Sequence, residues 1–289
     1  MRTPSGGAAI RPARAEDLLT LRRVWETADG LTPGPAEVLP LHRHLLATGT
    51  VLVADDDGRI VGFGAVIERG EVVLLSDLFV AEPGRGIGRR ILTQLRQRHP
   101  SPQWCTLASA HPAAVPLYQS FGLAPVASVS YLDGVVEPGR VAAEGFSVGP
   151  IDERVMAWLD GAWDRPRSVD VAYWASLGAV AVTVGGREPC GVALVCPHTP
   201  WHPAGDSVRI GPVVSVDADA AAEVMTAAVA VAADLAGGAR PVRALLPHAH
   251  PATRMLSAVG LVEVDRDVLM ATARDLVDPV RHIGAADLW

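Results

Sequence analysis

Three glycines at alternate positions, Gly84, Gly86 and Gly88, follow closely on an apolar stretch at 72–80 and share their segment with Arg85, Arg89 and Arg90. A strand that runs through a Gly-rich turn into a helix aims backbone N–H groups at one point. The helix dipole makes that point attractive to anions. Glycine removes the Cβ atoms that would hold a phosphate away, and the arginines add positive charge. The chemistry indicated is phosphate binding. The bland alternative is a strand–helix connection whose glycines serve only the turn. Two common phosphate loops are excluded. A P-loop needs Gly-Lys-Ser/Thr, and this chain has no Lys. A dinucleotide turn needs a third small residue where this chain has Ile91, and it follows the first strand of its sheet, whereas several elements precede this loop.

Asp77 is the one acid within the 72–80 stretch. Burial would raise its pKa, and a nearby ammonium would lower it again. Glu68 and Glu71 sit by a hairpin turn and read as solvated. His111 precedes Pro112 and either caps the helix that starts there or contacts a ligand. His198, His202, His248 and His250 lie beside prolines in loop-like stretches without acidic partners at metal spacing, so no metal site is expected.

The surrounding elements follow from periodicity and breakers. A short strand at 9–12 precedes a helix through Leu18, Leu21, Val24 and Trp25, which a Pro/Gly turn at 32–35 stops. A second helix is expected at 37–47. Strands at 51–54 and 60–67 flank the turn Asp55-Asp56-Asp57-Gly58 and form a hairpin. The strand at 72–80, the Gly-rich loop, a helix through Ile91, Leu92 and Leu95, a strand at 104–107, a helix at 112–121 and a strand at 126–132 follow. Gly122 suits the left-handed position after the 112–121 helix. Residues 133–149 read as a linker. Beyond it come helices at 151–161 and 168–177, strands at 180–184, 191–195 and 208–216, an Ala-rich helix at 218–236, a strand at 242–246, a helix near 251–259 and a strand at 262–271. The second half largely repeats the order of the first. His111-Pro112-Ala113 with Leu117 and Gly122-Leu123 is echoed by His250-Pro251-Ala252 with Leu256 and Gly260-Leu261.

The composition suits two domains of ordinary globular type. The 289 residues are 49% hydrophobic and 20% charged, with net charge −7. Residues 1–149 hold 14 Arg against 15 Asp and Glu, whereas the remainder holds 11 against 17. An acidic chain with scattered Arg argues against nucleic acid as partner. No apolar run reaches the 18 residues of a membrane span, and 1–7 lacks the apolar core of a secretory signal. Cys105, Cys190 and Cys196 cannot all pair and fit no zinc spacing, so buried thiols in a reducing cytoplasm are expected.

Two stretches taken together resemble the GCN5-related N-acetyltransferase (GNAT) superfamily over about residues 9–132. The family pattern Arg/Gln-x-x-Gly-x-Gly/Ala after the central strand reads Pro83-Gly84-Arg85-Gly86-Ile87-Gly88 here, with both glycines matched and Pro83 at the leading position. The pattern Asn-x-x-Ala-x-x-Leu-Tyr-x-x-x-Gly-Phe reads His111 through Leu123, with Ala114, Leu117, Tyr118 and Gly122 matched. The resemblance implies that backbone groups of Leu78, Phe79 and Val80 bond the pantetheine arm of acetyl-CoA. It implies that Gly84, Arg85, Gly86, Ile87, Gly88, Arg89 and Arg90 hold the pyrophosphate, with His111 as a further contact. Tyr118 would protonate the departing CoA thiolate. Polyamine acetyltransferases of the family carry an acidic pair of which this chain keeps Asp77, with Ser76 at the first position. Asp77 then anchors or deprotonates an amine, or else hydrogen-bonds a neighbouring loop.

The expected fold is α/β, with two tandem GNAT-like domains at 1–140 and 145–289. Each is a mixed, mostly antiparallel twisted sheet flanked by helices. In the second half the strand Ile210–Val216 leads into Asp217-Ala218-Asp219, with no glycine and no Arg, and Ser257 stands where Tyr118 would align. Two carboxylates there would cap the helix and repel a pyrophosphate, so this half resembles a degenerate copy. Five of the seven Trp lie in it, at 158, 163, 174, 201 and 289. The resemblance implies a cytoplasmic N-acetyltransferase that moves an acetyl group from acetyl-CoA directly to a primary amine on a small molecule or peptide. It implies no metal, no nucleophilic Cys, no nucleic-acid or membrane partner, and is compatible with a homodimer. The alternative is a non-catalytic acyl-CoA-binding or sensor protein.

Overall fold

The computed structural model describes residues 8–163, 165–186, 188–199, 205–285 and 288. Trp201, His202 and Trp289 lie outside the described residues. The chain divides into two compact units, Met1–Trp104 and Cys105–Trp289.

In the first unit β1 (Ala9–Pro12), β2 (Thr50–Asp56), β3 (Arg59–Arg69) and β4 (Val72–Val80) pair antiparallel in that order. The acidic turn between β2 and β3 closes as its sequence indicates. Asp57 and Gly58 take φ values of 53° and 87°, and the Gly58 N–H donates to Asp55 Oδ1 at 2.7 Å. Residues 60–67 of β3 are all buried, which explains an unbroken apolar run where alternation would mark a half-exposed strand. Helices α1 (Leu18–Ala28), α2 (Pro40–Thr48) and α3 (Ile87–Arg98) pack on this sheet.

Two glycines of β3 set how closely α3 can lie. A Cβ on Gly64 would sit 2.7 Å from Ile91 Cγ2 and 3.2 Å from Leu95 Cδ1. A Cβ on Gly62 would sit 3.1 Å from Ile87 Cγ2. The apolar stripe Ile87, Ile91, Leu95 is thereby buried against β3, and the start of α3 is pinned just beyond β4.

The second unit holds β5 (Gln103–Ala108) from Cys105 onward, α4 (Ala114–Gln119), β6 (Ala124–Gly134), β7 (Phe146–Gly149), α5 (Glu153–Ala162), α6 (Ser168–Ser176), β8 (Val180–Val184), β9 (Gly191–Cys196) and β10 (Val208–Ser215). It continues with α7 (Ala218–Ala236), β11 (Val242–Pro247), α8 (Thr253–Ala258), β12 (Val262–Ala271) and β13 (His282–Ile283). Its strand order is β5-β12-β6-β11-β10-β9-β8-β7, with β13 also paired to β10. The element order from β1 to β6 recurs from β7 to β12, so the repeat read from the sequence is structural. The linker expected at 133–149 is shorter, because β6 runs to Gly134 and β7 takes up Phe146–Gly149.

The last strand of each half is exchanged. β6 lies between β12 and β11, and β12 lies between β5 and β6, all antiparallel. Asp133 meets Arg243 at 2.9 Å, and the Tyr131 hydroxyl donates to Asp267 Oδ2 at 2.8 Å. Glu263 accepts from Ser130 Oγ, His248 and Arg266, and these donors, Ser130 first, hold its carboxyl down at about 2. A chain cut at 140–145 would strip β6 of both its neighbours.

Cys105, Cys190 and Cys196 are free thiols. Among the described residues no helix is long and apolar enough to cross a membrane.

Two stability outcomes follow. Gly64→Val should lower the free energy of unfolding, measured by denaturant titration, by about 1–3 kcal/mol, because the added methyls drive into Ile91 and α3 must back away. The second concerns pH. Burial pushes the imidazoles of His42, His250 and His282 down to about 4. Between about pH 6.5 and 4 the unfolded chain therefore binds more protons, so stability is full above that window and falls as pH drops through it. Urea titrations at pH 7 and pH 4.5 should show His42→Gln losing about 2 kcal/mol less than the parent over that interval.

Candidate functional site

β4 carries one residue more than its partner. The register pairs Ala65 with Asp77 but Val66 with Leu75, so Ser76 is a bulge. The strand bends there, just before Leu78, Phe79 and Val80, which are each half-buried. Asp77 is 8% exposed, as its apolar setting indicates. Ser76 Oγ is buried with no hydrogen-bond partner among the described residues.

Gly84 and Gly86 have φ values of 92° and 68°, the left-handed region that favours glycine. A Cβ on either would meet no protein atom within 4 Å, so torsion imposes these glycines and the loop stands open. Gly86 is the N-cap of α3 and provides no side-chain acceptor. The first helical bond runs from the Arg90 N–H to the Gly86 carbonyl at 3.1 Å. The amides of Ile87, Gly88 and Arg89 precede it, so helical geometry gives them no carbonyl within the helix. An acceptor-poor, dipole-positive helix start on an open Gly-rich loop is suited to a multivalent anion.

The arginines of the loop differ. Arg89 is exposed. Arg90 Nη2 donates to the Ala8 carbonyl at 2.6 Å, which ties the entry of β1 to α3. Arg85 Nη1 lies 2.9 Å from Asp56 Oδ2 and 3.6 Å from Glu82 Oε2, and Glu82 also meets Arg59 at 3.1 Å. Asp56, then Glu82, holds the Arg85 guanidinium firmly protonated. The sequence reading assigned Asp56 only to a turn. Its partner is 29 residues away, so no local spacing announces the pair. Glu68 pairs with His99 at 3.0 Å, away from the loop.

In the second unit Tyr118 lies on α4 and is 6% exposed. Just ahead of this helix the N–H of its N-cap residue Ala113 donates to His111 Nδ1 at 3.1 Å. The chain leaves through Gly122 at φ 87°, with the Leu123 N–H on the Tyr118 carbonyl at 3.2 Å. The echo in the second half repeats the entry bond. The Ala252 N–H donates to His250 Nδ1 at 3.2 Å, ahead of α8 with its Ser257. Burial pushes the Cys105 thiol up to about 11, so it stays a thiol at neutral pH.

The counterpart of the β4–α3 junction is β10–α7. β10 also bulges, between Ile210 and Val213. Asp217 caps α7, its Oδ1 accepting the Ala220 N–H at 2.8 Å, and Asp219 adds a second acid in the first turn. The dipole that is open at α3 is already answered at α7. Among the described residues no group of three or more His, Cys, Asp or Glu is placed to hold a metal. His198 and His248 instead lie 3.1 Å from Asp206 and from Glu263 respectively.

Residues 40–136 match the family profile of the acetyltransferase (GNAT) domain. No curated protein matches the chain. Among solved structures, a putative acetyltransferase from Pyrococcus horikoshii is similar over 100% of this chain and 98% of its own, at 19% identity and a TM-score of 0.76. A GCN5-related N-acetyltransferase from Sphaerobacter thermophilus covers 91% of this chain and 94% of its own, at 17% identity and 0.57. A tandem GNAT protein from the clavulanic acid biosynthesis pathway covers 91% and 97%, at 12% identity and 0.58. At these identities the likeness is one of fold.

The Arg85–Asp56 pair generates a direct test with pyrophosphate as probe. Asp56→Asn leaves Arg85 only its longer pair with Glu82 and should tighten pyrophosphate binding about two- to fivefold by calorimetry, the worth of an exposed ion pair. Arg85→Ala should weaken it by a similar factor.

Proposed function

This chain carries a GNAT acetyltransferase domain over residues 40–136, and from that premise we propose that it transfers an acetyl group from acetyl-CoA to a primary amine. One observation carries the reading. α3 begins at a left-handed glycine with no side-chain cap, on an open loop beside a bulged strand. The matching helix start in the other half is capped by Asp217. The sequence leaves the first helix start for an anion to complete.

Each residue takes a role that its setting supports. The amides of Ile87, Gly88 and Arg89, with the loop Gly84–Gly86, bind the pyrophosphate of the donor. Arg85 joins by exchanging Asp56 for phosphate. Arg90 secures β1 to α3 and so fixes the loop. Leu78, Phe79 and Val80 offer backbone groups to the pantetheine arm. His111 already holds the Ala113 amide through Nδ1, so only its Nε2 remains for the donor.

The amine attacks the thioester carbonyl as its neutral form. The N–C bond forms, the tetrahedral centre collapses, and the C–S bond breaks. Tyr118 gives its hydroxyl proton to the leaving thiolate. Asp77, buried on β4, anchors the ammonium form of the acceptor and takes or relays its proton. No covalent acyl-enzyme is needed, and the neutral Cys105 thiol agrees with that. The second half is a degenerate copy without a donor site. Three free thiols agree with a reducing cytoplasm. Pro83 at the leading position of the loop and Asp56 on Arg85 favour a second reading, in which acyl-CoA is bound without turnover.

Calorimetry with acetyl-CoA should give one equivalent per chain, and a panel of primary amines should show turnover. Tyr118→Phe should leave acetyl-CoA affinity unchanged and lower kcat about 100-fold, the scale of losing a general acid. Binding without turnover on any amine would favour the second reading, and no binding at millimolar donor would end both.

A further inference from the structure

Beyond the bulge, β10 and β11 part. Val208, Arg209 and Ile210 pair in parallel with Val242, Arg243 and Ala244, and the parallel pairing stops there. The segment 278–285 lies in the opening. Its strand β13 pairs antiparallel with β10, Val213 opposite Ile283 and Val214 opposite His282, and it touches β11 on its other side. The Ser215 N–H donates to the Arg281 carbonyl at 3.0 Å, and Arg281 Nε returns to the Ser215 carbonyl at 3.3 Å.

The segment is built to stay. Asp278 Oδ1 accepts the N–H groups of Val280 and Arg281 at 3.1 and 3.2 Å, and the Asp278 carbonyl accepts that of His282 at 2.9 Å. Ile283 is 1% exposed and Ala285 is 0% exposed. Gly211 makes the fit: a Cβ there would lie 2.9 Å from the Gly284 carbonyl oxygen.

In the repeat, β10 past its bulge corresponds to β4 past Ser76, the stretch Leu78–Val80 offered to a pantetheine arm. We propose that the cleft between β10 and β11 is an acyl-CoA-type cleft filled by the chain's own segment 278–285. Its backbone takes the ladder positions of a pantetheine arm and closes this half to a donor. The correspondence rests on the reading of β4 given above; the strap itself does not.

Hydrogen exchange read by mass spectrometry on the full chain, with and without millimolar acetyl-CoA, tests this. The amides of 213–215 and 281–283 should be protected in the free protein. Acetyl-CoA should slow exchange at 84–90 and leave 281–285 unchanged. In Ile283→Asp, which places a charge in the cleft, exchange at 213–215 should rise at least about tenfold. A second equivalent of acetyl-CoA in that variant alone would also support the strap as the barrier. Loop-like exchange at 213–215 in the parent, faster exchange at 281–285 on adding acetyl-CoA, or two equivalents in the parent would overturn it. If Ile283→Asp does not fold, the parent with and without donor still decides. Absence of any acetyl-CoA uptake would instead end the reading of 84–90, with the protection at 213–215 still judging the strap.

Discussion

Peptide groups that a helix or a ladder leaves over must find partners, and the way each half meets that demand organises the whole chain. At α7 the Asp217 carboxylate answers the first turn; at α5 Asp152 does the same for the Val155 amide. Ahead of α4 and α8 a histidine ring nitrogen accepts the N–H of the N-cap alanine, and no side chain caps the first turn. At α3 the N-cap is Gly86, which has nothing to offer. Likewise β10 past its bulge receives a strand from within the chain. One junction is completed internally, by Asp217 and by β13, whereas its counterpart at α3 has no side-chain cap.

The close approach that holds the open junction in place comes from β3. Gly62 and Gly64 let α3 settle onto the sheet, and Arg90 ties it to the Ala8 carbonyl at the entry of β1. The loop 84–86 can thus be torsionally unusual and exposed while its two flanks are fixed. Asp56 and Glu82 keep Arg85 in a defined place beside it. These acids offset the positive charge that Arg85 brings to the loop.

Much of this was legible. Breakers placed β8 and α7 at their observed limits, because Gly178 and Gly185 bracket the first and Asp217 and Gly237 the second, with uniform composition between. The Asp217 cap was legible from an acid directly before an Ala-rich run. The His-Pro-Ala echo marked a true repeat, down to the same ring nitrogen. The Ser76 bulge left a trace as two polar residues, Ser76 and Asp77, interrupting an apolar strand. Other features had no local signal. β13 is two residues long, below any periodicity, and β7 is hidden among glycines at 145 and 149. The Arg85–Asp56 pair and the partners of β6 depend on tertiary contacts between residues far apart, which strand alternation cannot encode. The face of a strand is written in its sequence; its neighbour is not.

The exchange of β6 and β12 has a consequence for synthesis. β5 is complete at Ala108 and β6 at Gly134, but the strand that lies between them begins only at Val262. A chain emerging from the ribosome therefore carries two strand edges whose N–H and C=O groups no residue yet made can pair. Such edges invite pairing between chains, and contacts of such long range form slowly. The nascent protein should depend on holdase chaperones until its last large strand arrives, and a ribosome stalled between 140 and 260 would release an aggregation-prone product rather than a working half.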